Sequence, residues 1–401
     1  MVHGYRSVVL IFLISWNEYL QIAAFGKDHN IQDGLIKPAP EPNEKEQELL
    51  LGHFEKFIEY YGKLYESDEE KLSRFETFKA NLKEIESLNE EANGLTEFGV
   101  TKFSDLTSEE FQSRHLPLVP DWIRTSASPN SIFKSPWDQS DLNDEESFYN
   151  NQDQMFEEGP YGETTPKPPT PPSPKPLPPG PPGPMVSIDW RTKGVKLPIE
   201  DQKDCGSCWS FGSVGVTQIL HSVKEKKVVN LSEQQLVDCT QDVNFGCKGG
   251  YLGKSMAYIQ KIGVVLESTY PYTAVNSTCR LPKRMGKTYK VKSFDAVRTE
   301  KAMLAALPTS PVAIILNSKT LQHYKTGILA SSQNVCNRKV FTHGVIIVGH
   351  GFDKAVGTKP AQTYWIVKNS WGTNWGELGY ARILSFRGIC GVGTFGVKAA
   401  I

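Results

Sequence analysis

The sequence predicts helices and strands kept in separate regions, with a charged helical unit ahead of a strand-bearing one. Three observations carry this. Residues 48–89 are charged and place apolar residues at three- and four-residue intervals, the period of a helix. Residues 340–348 and 364–369 are apolar runs that read as strands, the second leading into a Gly/Trp turn. Between the two kinds of pattern, residues 166–184 hold twelve prolines, a composition that cannot bury a core.

At the amino terminus, Arg6 precedes an apolar run over residues 8–14, and Ala23-Ala24 offers a small-residue cleavage site. Residues 1–24 therefore read as a secretory leader. No segment reaches the roughly 18 apolar residues of a membrane span. Residues 25–115 form the helical unit. Within it Glu70, Arg74, Phe78, Asn81, Ile85 and Asn89 recur every three or four residues and share one helix face. Taken alone, that is an ordinary amphipathic helix.

Residues 116–184 are a linker. Its part 135–166 carries nine acidic residues and neither Lys nor Arg, and the proline tract behind it is an extended polyproline II spacer. Pro-x-x-Pro repeats suit SH3 or WW domains. Those domains are cytosolic, so a luminal linker cut during activation is the better expectation. Residues 185–401 form the strand-bearing domain.

Net charge near zero conceals two opposite halves. Residues 185–401 carry 28 basic and 13 acidic residues; the first 184 carry 16 and 32. Such halves attract one another, and acid that protonates carboxylates weakens the attraction. The basic half also suits anionic glycans. Nothing in the sequence points to nucleic acid, a metal or a cofactor.

Cys205-Gly206-Ser207-Cys208-Trp209 is the densest chemical signal. Seven cysteines in a secreted chain leave one thiol over after pairing. Two cysteines three apart also occur in redox pairs and zinc half-sites. No second pair has that spacing, and no two of the eight histidines lie within four residues, which argues against both. A nucleophilic cysteine needs a base, and the base needs an orienting group. His343 stands near the start of the first strand and Asn369 at the end of the second. An Asn369 amide accepting a hydrogen bond from one ring nitrogen turns the other toward the sulfur. Gln202, six residues before Cys208, supplies a side-chain NH₂ that joins the Cys208 N–H in stabilising an oxyanion. Each of the three is bland alone: a core histidine, a turn asparagine, a surface glutamine. Their order around Cys208 raises them together.

The chain resembles the papain-like cysteine proteases, whose signature Cys-Gly-Ser-Cys-Trp stands here with histidine and asparagine 135 and 161 residues beyond Cys208. Leu231-Ser232-Glu233-Gln234, Leu236-Val237-Asp238-Cys239, Gly246-Cys247-Lys248-Gly249-Gly250 and Asn369-Ser370-Trp371-Gly372 extend the likeness from about residue 186 onward. It implies an α+β fold of two lobes, a helical one opened by Cys208 and a barrel-like one carrying His343 and Asn369. It further implies a cysteine endopeptidase made as an inactive precursor, with a thioester intermediate and no cofactor. The helix N-terminus is expected to lower the pKa of the Cys208 thiol.

Several further expectations are carried by the same resemblance. The disulfides pair Cys205 with Cys247, Cys239 with Cys279 and Cys336 with Cys390, each worth about 3–4 kcal/mol in the chain-entropy model. Gly249 and Gly250 offer backbone to an extended substrate, Trp371 shields the His343–Asn369 contact, and Tyr251, Leu252, Ile315, Phe341 and Phe395 line an apolar S2 pocket floored by Phe395. The helix-face set of residues 70–89, with Gly99, Thr101, Phe103 and Asp105 behind it, resembles the inhibitory propeptides of cathepsin L-like enzymes, while Asp201-Gln202-Lys203 resembles cathepsin W. Thr342 replaces the acid or amide common before the histidine. Gly212 and Gly215 depart from the usual helix composition. Protein substrates, cystatin-like inhibitors and a monomeric state follow from the family likeness. Asn230 and Asn276 stand in glycosylation sequons, in keeping with a secretory route to lysosome, granule or extracellular space. A non-catalytic relative that keeps the fold, or a chain acting as an inhibitor through its propeptide, is the rival reading.

Overall fold

The computed structural model describes residues 44–115, 186–281, 286–330, 336–338, 340–354 and 361–401. The expected leader (1–24) and the acidic, proline-rich linker (116–184) lie outside the described residues. Chain contacts divide the molecule into two compact units, one ending at Lys79 and the other Ala80–Ile401.

In the first unit α1 (Glu44–Tyr61) precedes α2 (Asp68–Ala92), which runs across the division. The first unit has a small aromatic core. Phe54 packs on Phe57, Tyr65, Phe75 and Phe78 with ring centroids 5.4–6.0 Å apart. The helix face legible in the sequence has a physical division of labour. Phe78 and Ile85 are buried, Glu70 pairs with Arg74 one turn on, and Ser67 caps the helix by accepting from the Glu70 N–H.

In the second unit, the end of α2 is followed by β1 (Thr96–Phe98) and α3 (Ser108–His115). Asn81 and Asn89 hold this turn in place. The Asn81 side chain donates to the carbonyls of Ser104 and Leu106, and Asn89 exchanges two hydrogen bonds with the Phe98 backbone.

Beyond residue 186 come β2 (Ile188–Asp189), α4 (Cys208–Glu225), α5 (Glu233–Cys239), α6 (Leu252–Lys261), β3 (Ser293–Val297), α7 (Glu300–Ala306), β4 (Val312–Leu316) and β5 (Tyr324–Leu329). The chain closes with β6 (His343–Asp353), β7 (Gln362–Lys368), β8 (Tyr380–Leu384) and β9 (Gly396–Ala400). The strands form a sheet in the order β1-β5-β8-β7-β6-β4-β9-β3, with β2 paired to β6. Every pairing is antiparallel except β5 with β8.

Helix α4 is buried along almost its whole length, packing α5 and α6 as well as β6 and β4. This explains the glycine-rich start noted in the sequence. A Cβ on Gly215 would come within 2.4 Å of Ile346 Cδ1 on β6, so the helix and sheet reach their spacing only without one. The helix cost of glycine, about 1 kcal/mol, is offset by that contact. No helix of the described residues is long and apolar enough to cross a membrane.

Candidate active site

Antiparallel pairing brings the two expected partners of the cysteine to one end of the sheet. Leu316 of β4 pairs with His343 at the first position of β6, and Ile346 pairs with Lys368, the residue before Asn369. Cys208 opens α4 with its main-chain N–H groups pointing outward, and the Gly344 N–H faces its sulfur. Cys208 at the start of α4 thus lies against Gly344, the residue after His343, where α4 abuts β6.

The hydrogen-bond pattern fixes the imidazole tautomer. Asn369 Oδ1 accepts from the Ser370 N–H at 2.8 Å, so that atom is the oxygen. His343 Nε2 lies 2.7 Å from the same oxygen and is therefore the protonated nitrogen. Nδ1 is then the basic nitrogen, on the opposite edge of the ring. Trp371 stacks on this imidazole at 4.6 Å and 21°, and only 1 % of it is exposed. Its edges meet Trp375, Phe103 and Phe111 at 4.9, 5.1 and 5.4 Å. It covers the His343–Asn369 contact and lies under the N-terminal region at the same time.

Gln202 is fully buried. Its Nε2 donates to the Cys205 carbonyl at 2.9 Å, and its Oε1 accepts from Ser370 Oγ at 2.7 Å. A carbonyl can only accept, so the amide orientation is settled. Ser370, quoted in the sequence motif but given no role there, thus touches both the Gln202 and the Asn369 amides. Tyr272 was not singled out by the sequence. Its hydroxyl donates to the Gln202 carbonyl at 2.8 Å and so accepts from Ser207 Oγ at 2.6 Å, tying the loop before α4. Beneath them, Lys368 pairs with Glu200 in the interior, and Gln218 Nε2 donates to the second Glu200 oxygen. Burial, with the charges of Glu200 and Glu267, holds the neighbouring Glu233 well above the usual carboxyl range.

One expectation is reversed. The Cys208 thiol is not lowered by its place at a helix start; burial pushes it up to about 11, against the opposing pull of the Gly344, Trp209 and Cys208 N–H groups. Only 4 % of Cys208 is exposed. A thiolate there would give up water for three N–H groups, and the lost hydration wins.

The seven cysteines form Cys205–Cys247, Cys239–Cys279 and Cys336–Cys390, leaving Cys208 free. Cys205 is thereby removed from any redox or zinc pair with Cys208. Gly250 touches the Trp209 ring: a Cβ there would lie 2.5 Å from it. Gly249 adopts φ 122°, which favours glycine.

The S2 candidates are only partly assembled. Ile315 N–H donates to the Phe395 carbonyl at 3.4 Å across β4 and β9, and Leu252 reaches β4 over Gly212. Phe341 lies against Gly391, and Tyr251 meets Phe245 edge-on. The Arg298 guanidinium stands 5.5 Å over the Phe395 ring, a charge that the apolar reading did not foresee. Thr342 is buried, its hydroxyl bonded to Ser318. Asn230 and Asn276 are both exposed, and the Asn276 side-chain oxygen accepts from the Cys247 N–H.

A free buried thiol, an imidazole held by an amide oxygen and a fixed Gln202 amide suit a thiol hydrolase, and comparison with known proteins specifies the family. Residues 185–399 match the papain family cysteine protease model, and residues 54–111 match the cathepsin propeptide inhibitor domain. The chain is 30% identical to fruit bromelain of Ananas comosus over 366 residues, covering 88% of each protein. It is 33% identical to papaya proteinase 4 of Carica papaya, covering 86% of this chain and 85% of that one. Digestive procathepsin L 3 of the Tenebrio molitor larval midgut superposes with a TM-score of 0.65 at 27% identity, over 88% of this chain and 99% of that one. This chain belongs to the papain family of cysteine proteases. It carries an inhibitory pro-region and is made as a zymogen, with the papain-like fold behind an N-terminal helical propeptide.

Proposed function

We propose that this zymogen becomes an endopeptidase in which Cys208 and His343 act as a thiolate–imidazolium pair. The thiolate attacks a peptide carbonyl, and the Gln202 NH₂ with the Cys208 N–H receives the oxyanion. His343 then protonates the leaving amine, and water hydrolyses the thioester. Asn369 is the orienting amide, and the observation that carries the reading is its oxygen, held by Ser370 N–H and receiving His343 Nε2. The proposed division is leader 1–24, propeptide 25–115, linker 116–184 and peptidase 185–401.

Processing in the linker is triggered by acid. In the precursor the thiol is buried and protonated, so activation must uncover Cys208 as well as open the cleft. Gly249 and Gly250 receive substrate backbone, and Tyr251, Leu252, Ile315, Phe341 and Phe395 form the S2 wall. Equal turnover of peptides with P2 Arg and P2 Leu would remove that assignment. The leader sends the chain along the secretory route to a lysosomal, granular or extracellular site. Exposed Asn230 is the better glycosylation acceptor, because Asn276 is engaged with Cys247. A monomeric enzyme, sensitive to cystatin-like inhibitors and attracted to anionic glycans by its basic peptidase half, completes the reading.

The deciding experiment incubates the precursor at acid pH, under mild reduction, with a biotinylated epoxide that alkylates active-site cysteines. A labelled fragment of about 25 kDa, absent from Cys208→Ala, is the expected result. Folded, disulfide-bonded precursor that takes no label at any pH overturns the assignment.

A further inference from the structure

One of the places where the pro-region meets the peptidase domain is a short strip, residues 321–324, beside the β1–β5 pairing and the Trp371 contacts. Gly99 N–H donates to the His323 carbonyl at 2.9 Å, and Thr101 Oγ1 donates to the Gln322 carbonyl at 2.5 Å. The Gln322 side chain donates back to the carbonyls of Phe103 and Leu106, at 3.2 and 2.9 Å. Beside them Phe98 of β1 pairs with Tyr324 of β5.

The imidazole of His323 is 1 % exposed, and neither Nδ1 nor Nε2 has a hydrogen-bond partner. A neutral imidazole carries one donor and one acceptor, and both are wasted here. An aliphatic or aromatic residue would fill the space without that loss. The turn comprising Lys319–His323 packs against α3 of the pro-region.

Among the described residues no charge on the surrounding elements compensates. Lys319 shares the turn with His323, Lys325 and the paired Glu377 and Arg382 belong to β5 and its neighbourhood, and Glu97 lies on β1. From the pro-region turn and α3 come Lys102, bonded to Asp201, buried Asp105, exposed Glu109, and Glu110, which caps Thr107. Burial alone governs the ring, holding it down to about 4.

We propose that His323 is a proton-operated release for the pro-region: a second ring proton forces the imidazole toward water, opens residues 321–324 and frees Gly99 and Thr101. The inference rests on the acid-activation reading above and assigns that reading a residue. The sign follows from linkage. A base with a depressed pKa in the docked state takes its proton more readily once released, so the grip is complete above about 6.5, the ordinary histidine value, and falls as pH drops toward about 4. The low-pH limit set by a difference of about 2.5 units is roughly a 300-fold weakening, of which about 80-fold falls between pH 6.5 and 4.

The test uses full-length Cys208→Ala precursor, which cannot process itself, and hydrogen exchange at the Gly99 amide, corrected for the intrinsic pH dependence of exchange. Gly99 protection is expected to fall between pH 6.5 and 4 by about 80-fold, and to stay level in Cys208→Ala/His323→Leu. Constant Gly99 protection in the Cys208→Ala precursor overturns the proposal without any second variant. So does a fall of the same size in His323→Leu that is already well protected at pH 7. Where His323→Leu lacks protection at pH 7, His323→Met replaces it and is judged by the same two outcomes. The underlying reading is tested separately in the Cys208-intact precursor. Processing that is independent of pH removes acid activation itself, whereas acid-dependent processing with level Gly99 protection removes only His323.

Discussion

Replacing Lys368 with Met will destabilise the precursor although the residue touches no substrate. Lys368 is 4 % exposed and its partner Glu200 14 %, so the pair is largely withdrawn from water. Removing the cation leaves a carboxylate in the interior, beside Glu233 and Glu267. Breaking such a pair costs about 3–5 kcal/mol. Gln218 still donates to Glu200 at 2.7 Å, which places the loss at the lower end, about 3 kcal/mol. With a urea slope of about 3 kcal/mol/M, the midpoint falls by about 1 M. The assay is urea unfolding of Cys208→Ala and Cys208→Ala/Lys368→Met precursors, followed by tryptophan fluorescence. Adding Glu200→Met removes the stranded charge and is expected to return stability to within about 1 kcal/mol of the parent. A Lys368→Met midpoint equal to the parent's, or a double variant no more stable than the single one, refutes the reasoning.

Three other outcomes follow from the same geometry. Because the thiol is raised to about 11, only about one Cys208 in ten thousand is ionised at pH 7 in the precursor. Its alkylation by iodoacetamide should rise about tenfold per pH unit from 7 to 9, and a plateau below pH 9 contradicts the burial. Thr101→Val removes the donor to the Gln322 carbonyl and weakens pro-region docking by about 1–3 kcal/mol, read as a higher pH at which processing begins. Gly250→Ala sets a methyl 2.5 Å from the Trp209 ring and costs about 1–3 kcal/mol, measured as a lower midpoint in the same unfolding assay.

The family was legible because the residues around Cys208, His343 and Asn369 stand in short motifs, whereas the contacts that hold them were not. Asn81 and Asn89 were legible as positions on a helix face, and their work of pinning the turn at Ser104, Leu106 and Phe98 emerged from the packing. The direction of the Cys208 pKa was misjudged because a helix start is a local feature, whereas burial is a sum over distant chain. Glu200 and Lys368 are 168 residues apart, and no periodicity joins them. His323 sits in a short turn among polar residues, where the sequence carries no sign that its ring is buried. Gly215 looked like a weak helix residue until Ile346 was seen against it.

The sheet ends in β1, a strand of the pro-region. Thr96, Glu97 and Phe98 pair with Gly327, Thr326 and Tyr324, so while the precursor is intact β5 is an inner strand at that end. Cutting the pro-region away turns β5 into a rim, with main-chain donors and acceptors bare to any passing strand. The residues newly laid open include Lys325 and Gly327, a charge and a poor strand former, and these discourage stacking of one enzyme molecule on the next. Both residues belong to a strand whose outer edge β1 covers in the precursor.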